Sequence, residues 1–296
     1  MAERVKLIAP AKVNLYLAVG ARRDDGYHEL LTVFQALDDA LSDTVQVRVA
    51  DEFSVKMAPD LGVPAPDNLA LKAAEMLADA VGAAVPVAVT IEKRIPAGGG
   101  LGGASTDAAA VLVGASVLWG VDTASEAVTR CAHALGADVP FFLQGGTALY
   151  AGRGDVRVRD LPTPDLRLVV VNAGEPVSTA AAYAMHDRLL RRPAPDAQPL
   201  IDALDAADVE RVAALLHNDL AEPAKTIAAS IREVESWLAG QPGVLAACVT
   251  GSGSCAYGIC ESEQAARAVE RDARREGWWA QACAASRHGV RVVEAV

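Results

Sequence analysis

The sequence predicts an α+β fold in which two α/β two-layer halves follow one another along the chain. Segments with strand periodicity alternate with segments of helical periodicity over most of the length. The chain has 296 residues and is 52% hydrophobic but only 4% aromatic, which suits helices packed on sheets better than a β-sandwich. The length allows two domains. The polar, charged stretch at residues 152–160 is the best candidate boundary, so we expect domains at 1–155 and 156–296.

In the first half, apolar runs and period-two alternation predict strands. Pro10 separates the first two strands, because proline cannot donate to a sheet ladder. Residues 44–49 alternate apolar and polar side chains, as a half-buried strand does. Residues 68–81 repeat apolar side chains at helical spacing and predict a helix. The predicted strands are residues 5–8, 13–19, 27–37, 44–49 and 85–91.

The stretch with the highest glycine density in the chain follows, at residues 96–107, and helix and strand patterns resume after it. Residues 108–119 predict an Ala-rich helix that is buried on most sides. Thr123 or Ser125 caps a further helix, which ends at Gly136. Later helices are predicted across residues 179–238, as two or three segments, and at 263–276, and strands at 166–171, 244–250, 255–260 and 290–293.

Charge, cysteine content and hydropathy exclude several classes of protein. The net charge of −11 gives no general attraction for nucleic acid or an anionic membrane. The five cysteines include no CxxC pair, which predicts buried free thiols in a reducing compartment. Arg4, Lys6 and Lys12 interrupt the N-terminal apolar residues, so no signal peptide is expected. The longest apolar run, 108–121, is too short to span a bilayer. We expect a cytoplasmic protein, and the oligomeric state stays open.

The glycine-rich stretch at residues 98–103 (GGGLGG) allows several interpretations. It satisfies the dinucleotide pattern GxGxxG, but residues 92–96 separate it from the preceding strand, and Asp122, at the required distance, opens a helix. A Walker-type loop is excluded, because no Gly-Lys-Ser/Thr follows. Five glycines among six residues exceed what a plain turn requires. We therefore predict that backbone N–H groups of this loop, and of a helix that begins near Ser105, bind phosphate. Ser105 as a plain helix cap and Asp107 as an ordinary first-turn acid are the simpler interpretations.

Two charged residues in apolar surroundings are candidates for the chemistry. A phosphate site built from amides still needs a cation and a group that accepts a hydroxyl proton. Lys12 interrupts an apolar strand region, where a lysine is unfavourable unless it lies at an edge or has an anionic partner. Asp138 stands between a helix end and two phenylalanines, a setting in which a carboxylate is paired with a cation or functional. The two residues are therefore expected to pair.

Five motifs together resemble the GHMP kinase superfamily. They are PAKVNL at 10–15, GYHEL at 26–30, the loop at 96–107, GADVP at 136–140 and the turn at 251–254. The loop and the turn carry the superfamily resemblance. The other three motifs together resemble one member family, the 4-diphosphocytidyl-2-C-methyl-D-erythritol kinases. The resemblance runs from about residue 5 to the C-terminus.

This resemblance implies a fold and a reaction. The fold is the GHMP kinase fold, with two domains, the active site in the cleft between them, and a last strand that returns to the first domain. The reaction is ATP-dependent phosphorylation of the 2-hydroxyl of a substrate that carries cytidine diphosphate, in non-mevalonate isoprenoid biosynthesis. Asp138 would accept the hydroxyl proton with Lys12 beside it. ATP would bind with Mg²⁺, and Ser105 or Thr106 would lie near the metal.

The resemblance also assigns binding residues. Those expected to bind ATP are Pro96, Ala97, Gly98, Gly99, Gly100, Leu101, Gly102, Gly103, Ala104, Ser105, Thr106 and Asn68. Those expected to bind the cytidylylated substrate are Asn14, Tyr27, His28, Thr179 and Tyr183. Asn68 would lie near the adenine or be a plain helix N-cap. The turn at 251–254 would close the site or merely join two strands.

Three points stay open. Ala104 departs from the Gly-Gly-Ser-Ser form of many relatives, and alanine restricts φ, so the hydroxyl that faces the metal is undecided. Another GHMP kinase, of homoserine or mevalonate type, would have no use for an aromatic pocket that holds a base. A non-catalytic nucleotide-binding sensor on the same fold would not need the lysine and aspartate pair.

Overall fold

The computed structural model describes residues 2–172, 174–189 and 193–296. The strands found there are β1 (Arg4–Pro10), β2 (Lys12–Arg22), β3 (His28–Leu37), β4 (Ser42–Val49), β5 (Ser54–Ala58), β6 (Val87–Glu92), β7 (Thr147–Ala151), β8 (Val156–Leu161), β9 (Arg167–Asn172), β10 (His217–Asn218), β11 (Val244–Val249), β12 (Cys255–Cys260), β13 (Trp279–Ser286) and β14 (Arg291–Ala295). The helices are α1 (Leu69–Val81), α2 (Gly103–Trp119), α3 (Glu126–Leu135), α4 (Val139–Gln144), α5 (Thr179–Arg188), α6 (Gln198–Asp205), α7 (Val209–Ala214), α8 (Ala221–Ile227), α9 (Ala229–Ala239) and α10 (Glu263–Arg275).

One sheet has five strands in the order β14-β1-β4-β6-β5. Its strands pair antiparallel except for β5 and β6, which are parallel. Helix α2 packs across β1 and β4 and alongside α1. Gly114 permits this close packing, since a Cβ there would lie 2.8 Å from Val47 Cγ2 and 2.9 Å from Leu7 Cδ1. Because β14 pairs with β1, the end of the chain returns to the sheet that the first residues build.

The second sheet has nine strands and combines segments from both halves of the sequence. Its main path is β10-β2-β3-β13-β9-β12-β11, and β7 pairs with β3 and with β8. A single residue, Ala11, separates β1 in the first sheet from β2 in the second. Lys12 therefore stands where the two sheets meet. The expected domain boundary at residues 155 and 156 falls in the turn of the antiparallel β7–β8 pair.

An aromatic cluster supports the start of α4. The ring centroids of Phe34 and Phe141 lie 5.0 Å apart, and Tyr150 packs edge-on against Phe34 at 5.3 Å. All three side chains are buried, and each contributes about 1.5–3 kcal/mol of hydrophobic stabilisation. Asp138, the residue before α4, is therefore held against a rigid core.

Most sequence predictions of elements are confirmed. Helix α1 begins after Asn68, whose side chain accepts the N–H of Ala70. Ser125, and not Thr123, is the N-cap of α3. The five cysteines are buried and free. Among the described residues, no helix combines the length and apolar character needed to cross a membrane.

Several elements differ from the prediction. Five strands were not predicted, namely β5, β7, β8, β10 and β13, and the described residues of 179–238 form five helices, α5 to α9, instead of two or three. Helix α2 begins at Gly103, slightly before the start expected near Ser105 and five residues before the Ala-rich pattern at 108, because Gly103, Ser105 and Thr106 have low helix propensity. Helix α4 has only six residues, too few to show a period, and was not predicted. Strand β5 was missed as well, since five partly exposed residues give little alternation.

Candidate active site

A cavity of about 460 Å³ lies where the glycine-rich loop, the start of β2 and the start of α5 meet. It is lined by both members of the expected pair, Lys12 and Asp138. Every loop residue from 96 to 105 also lines it. Among the other expected binding residues, the cavity is lined by Asn14, Asn68, Thr179 and Tyr183. The fold thus brings to one place residues that the sequence distributes over both halves.

Lys12 and Asp138 form an ion pair at the edge of this cavity. The Lys12 Nζ atom lies 3.6 Å from Asp138 Oδ2. The lysine side chain is only 4% exposed, whereas the aspartate is 31% exposed and reaches the cavity. Nζ also donates to Asn14 Oδ1 at 2.8 Å and lies 5.0 Å from the ring centroid of Phe34. These contacts hold the ammonium group in one position.

Burial dominates the electrostatics of this lysine. Removal from water lowers the pKa of Lys12 below its usual value of 10.5, and the nearby carboxylate of Asp138 opposes that shift in part. A buried ammonium with a partly exposed carboxylate beside it is an arrangement often found in active sites. The pair can neutralise charge and accept a proton at the same place.

We call residues 98–103 the glycine arch. Its carbonyl groups accept backbone N–H groups from the turn after β11: Ser254 N lies 3.2 Å from Gly98 O, and Cys255 N lies 3.2 Å from Gly99 O. Gly100 has a φ of +75°, and a Cβ there would collide with the carbonyl of Thr250. The glycine is therefore required both for its backbone conformation and for the close approach of the two turns.

The other end of the arch packs against Lys12 of the ion pair. The N–H of Lys12 donates to Leu101 O at 3.1 Å. Gly102 has a φ of +76°, and a Cβ there would lie 2.6 Å from Phe142 Cζ and 3.3 Å from Lys12 Cγ. The arch and the lysine are thus in direct contact.

Helix α2 presents its N-terminus to the cavity. Its N-cap is Gly102, which provides no side-chain acceptor for the first-turn N–H groups. Such unpaired amides, together with the positive end of the helix dipole, favour an anion. Ser105 lies inside the first turn and is not the cap, so that simpler interpretation is wrong. Ser105 lines the cavity, whereas Thr106 is fully buried and its Oγ1 has no hydrogen-bond partner.

Aromatic side chains form the far end of the site. The rings of His28 and Tyr183 are stacked, with centroids 5.2 Å apart and an interplanar angle of 16°. His28 Nε2 lies 2.9 Å from Asp187 Oδ1. Tyr27 is 56% exposed and its ring lies 5.0 Å from the guanidinium carbon of Arg153, which lines the cavity. Tyr27 and His28 do not line the cavity themselves, but each contacts a residue that does, Arg153 and Tyr183 respectively. Burial raises the pKa of Tyr183, so its hydroxyl stays protonated.

Asn14 connects the pair to the turn at 251–254. Besides Lys12, its Oδ1 accepts the N–H of Gly251 at 3.1 Å and the hydroxyl of Thr250 at 3.3 Å. Its Nδ2 donates to Thr32 Oγ1 at 2.8 Å. These contacts fix the Asn14 side chain, which in turn holds the ammonium of Lys12. The turn both joins two strands and lines the cavity, through Gly251 and Ser252.

Sequence reasoning missed a buried charge network next to the arch. Lys93 forms ion pairs with Asp43 and with Asp107, which the sequence suggested was an ordinary first-turn acid. Burial raises the pKa of Asp107 to about 7; Lys93 opposes this shift and Asp43 adds to it. Burial by itself would lower the pKa of Lys93, but the two carboxylates together raise it. The position of Lys93, between a predicted strand and the glycine-rich loop, could have indicated this network from the sequence. Nothing in the sequence distinguishes Asp43.

Comparison with known proteins identifies the family. Residues 68–146 match the model of the GHMP kinases N terminal domain, and residues 200–277 match that of the GHMP kinases C terminal domain. The 4-diphosphocytidyl-2-C-methyl-D-erythritol kinase of Mycolicibacterium paratuberculosis is 42% identical over 271 residues, which are 88% of this chain and 84% of that protein. The kinase of the same name from Nocardia farcinica is 42% identical over 270 residues, 88% of this chain and 86% of that protein.

Solved structures show the same fold. A crystal structure of a 4-(cytidine 5'-diphospho)-2C-methyl-D-erythritol kinase has a TM-score of 0.76 and 33% identity, and the match covers 95% of this chain and 100% of that chain. Homoserine kinase from Cytophaga hutchinsonii has a TM-score of 0.77 at 18% identity, over 99% of this chain and 98% of that chain, and so shares the fold alone. The family predicted from the sequence motifs is confirmed, and the chain belongs to the 4-diphosphocytidyl-2-C-methyl-D-erythritol kinase family of the GHMP kinases.

Proposed function

We propose that the protein transfers the γ-phosphoryl group of ATP to the 2-hydroxyl of 4-diphosphocytidyl-2-C-methyl-D-erythritol, a reaction of non-mevalonate isoprenoid biosynthesis. The observation that carries the proposal is the Lys12–Asp138 ion pair, 3.6 Å long, beside a glycine arch in the same cavity. Family membership supplies the substrate. The free, buried cysteines fit the expected cytoplasmic location.

The phosphates of ATP bind at the arch and at the N-terminus of α2. Glycines there leave the backbone N–H groups accessible from the cavity, and the uncapped first turn adds further donors. Asn68 also lines the cavity, and its side chain caps α1. Asn68 therefore has two roles in this proposal: it borders the adenine of ATP, and it caps the start of α1.

The Ser105 hydroxyl, beside the arch, fits a Mg²⁺ ion that arrives with the nucleotide. No cluster of three or more His, Cys, Asp or Glu side chains suited to a metal occurs in the part of the chain that the structure describes. Mg²⁺ needs few protein ligands, since it keeps waters and binds phosphate oxygens. Ser105, which lines the cavity at the helix start, would contribute its hydroxyl; the buried Thr106 would not. The ion supplies charge neutralisation of the phosphates.

Asp138 acts as the base. Its carboxylate accepts the proton of the 2-hydroxyl as that oxygen forms a bond to the γ-phosphorus, and ADP leaves with the electrons of the broken P–O bond. The ammonium of Lys12 orients the carboxylate and stabilises the negative charge that develops on the transferred group. Asn14 keeps the ammonium in place through its 2.8 Å hydrogen bond.

The cytidine group binds at the aromatic end. The Tyr183 ring lines the cavity and offers a face for the base, while His28, stacked behind it, and the exposed Tyr27 complete the pocket. Stacking on an aromatic ring is tolerant of sequence but requires a planar base. Thr179, which contacts Ser252 at 3.1 Å, borders the same end. In this proposal, residues 1–155 supply the arch and the pair, and residues 156–296 supply Thr179 and Tyr183.

A kinase assay tests the proposal. We expect ADP release from ATP that depends on the cytidylylated polyol, and a loss of about 10²–10⁴ in rate for Asp138→Asn. An Asp138→Asn variant with full activity would exclude this residue as the base. Homoserine and mevalonate serve as control acceptors. If the protein phosphorylates one of them but not the cytidylylated compound, the homoserine or mevalonate kinase type is favoured.

Nucleotide binding provides a second test that does not depend on turnover. We expect CMP or CDP to raise the thermal midpoint of the wild-type protein, and Tyr27→Ala to remove that shift. No shift at millimolar nucleotide would count against the cytidine pocket. A shift together with absent kinase activity would favour a nucleotide-binding sensor.

A further inference from the structure

A charge network with little exposure lies next to the glycine arch, and two of its members, Lys93 and Asp107, belong to the cavity lining. Lys93, the residue after β6, donates from Nζ to Asp107 Oδ2 at 2.6 Å and to Asp43 Oδ2. The side chains of Lys93, Asp107 and Asp43 are 6%, 5% and 0% exposed. The second oxygen of Asp107, Oδ1, is buried and has no hydrogen-bond partner. One ammonium group thus holds two buried carboxylates, an arrangement that adds little to stability compared with apolar side chains.

The network connects the chain segment that precedes the arch with the helix that follows it. Asp43 in β4 accepts, at Oδ1, the backbone N–H groups of Arg94 at 2.6 Å and Ile95 at 2.9 Å. These residues directly precede the loop. Asp107 belongs to the start of α2, into which the arch continues. Lys93 joins the two aspartates, and a Cβ on Gly103 would lie 3.4 Å from its Nζ.

The arch itself has little means of holding its shape. Glycine has more backbone freedom than any other residue, so a run of glycines becomes ordered only through contacts with its surroundings. The turn after β11 supports the outer side of the arch through two backbone hydrogen bonds. The charge network holds the two flanking segments from the inner side.

We propose that Asp43, Lys93 and Asp107 are positioning residues that set the spacing of the two ends of the glycine arch for the phosphates of ATP. The proposal rests on the proposed function of the arch as the ATP site. Preorganisation of a binding loop increases affinity because ordering is not required at the moment of binding. Loss of the network therefore weakens the binding of ATP, while the aromatic end of the cavity keeps its affinity for the cytidylylated substrate.

The test compares Lys93→Met and Asp107→Asn with the control Lys225→Met. Lys225 is also a largely buried lysine between two carboxylates, Glu222 and Glu235, but it lies on α8, outside the cavity lining. For each variant, KM is measured for ATP and for the cytidylylated substrate, Kd for ADP is measured by calorimetry, and the thermal midpoint by melting.

Lys93→Met is expected to raise KM for ATP and Kd for ADP by about tenfold or more, with KM for the second substrate within about threefold. Asp107→Asn keeps an oxygen acceptor for Lys93, so it is expected to raise the same two constants by a smaller factor. Lys225→Met is expected to lower the thermal midpoint without changing either KM.

Equal changes in both KM values, or the same change in Lys225→Met, would show a merely structural role and overturn the proposal. If Lys93→Met does not fold, Asp107→Asn decides, and an unchanged Kd for ADP there refutes the positioning role. A wild-type protein that binds ADP but phosphorylates nothing refutes the proposed reaction and leaves the ADP measurements as a valid test of the network.

Discussion

Replacement of Lys12 by methionine separates catalysis from stability. The ammonium lies 3.6 Å from Asp138, where an effective dielectric constant of about 20 gives an attraction of about 5 kcal/mol. That figure is an upper bound, because the aspartate is 31% exposed and water screens it. In the proposed mechanism the same ammonium also stabilises the charge on the transferred phosphoryl group. We expect Lys12→Met to lower kcat by about 10²–10⁴, which corresponds to about 3–5 kcal/mol.

The fold should tolerate this change. Methionine has a similar length, packs well against the ring of Phe34, and has no charge to remove from water. The partly exposed Asp138 stays solvated, and Asn14 keeps its contacts with Thr250 and Gly251. The thermal midpoint is therefore expected to change little, because the carboxylate that loses its partner is exposed enough to remain hydrated.

The assay is initial-rate ADP release at saturating ATP and substrate, with thermal melting of the same samples. Lys72→Met, on the exposed face of α1, is the matched control and should change neither quantity. A Lys12→Met variant that keeps kcat within tenfold of the wild type would refute the catalytic role. A loss of activity with a large fall in thermal midpoint would refute the reasoning about stability.

Three further predictions concern the arch, the pH profile and the aromatic pocket. Gly100→Ala forces a Cβ against the carbonyl of Thr250 and should destabilise the protein by about 1–3 kcal/mol in melting experiments, whereas Gly120→Ala, with φ of +67° and open space, should have a smaller effect. Burial lowers the pKa of Lys12, so the alkaline loss of kcat/KM should begin below pH 10.5, as a pH–rate profile would show. The contribution of Lys12 to stability should rise with pH over the same range, because the unfolded chain binds the lysine proton more tightly than the folded protein does; urea melts measure this trend. Tyr183→Ala should raise KM for the cytidylylated substrate about tenfold and leave KM for ATP unchanged, with Tyr183→Phe close to the wild type in steady-state kinetics.

Local patterns in the sequence were sufficient for most elements. The alternation at residues 44–49 predicted β4, and the apolar spacing at 68–81 predicted α1, because side-chain periodicity follows directly from backbone geometry. The start of α2 was placed too late, since its first turn is built from residues with low helix propensity. The burial of the helix on one side by α1 and on the other by the sheet stabilises that turn regardless of propensity.

The chemistry of the site could be predicted only in part. Lys12 and Asp138 were identifiable because a charge within an apolar context requires a partner, and the structure shows them together. Asn14 was expected to contact substrate; it lines the cavity, and the structure adds contacts with Lys12, Thr32 and the turn after β11 that the sequence did not indicate. Asp107 carried no signal, since the sequence suggested an ordinary first-turn acid, whereas the structure places it buried in the second turn of α2.

The sequence alone therefore determined the family, the kind of reaction and the identity of the charged pair, because motifs and buried charges are properties of neighbouring residues along the chain. Only the tertiary structure decided which hydroxyl faces the cavity, how the turn after β11 supports the arch, and that Lys93 joins Asp43 to Asp107. These contacts link residues that are far apart in sequence, and their geometry depends on how sheets and helices pack, which no local pattern encodes.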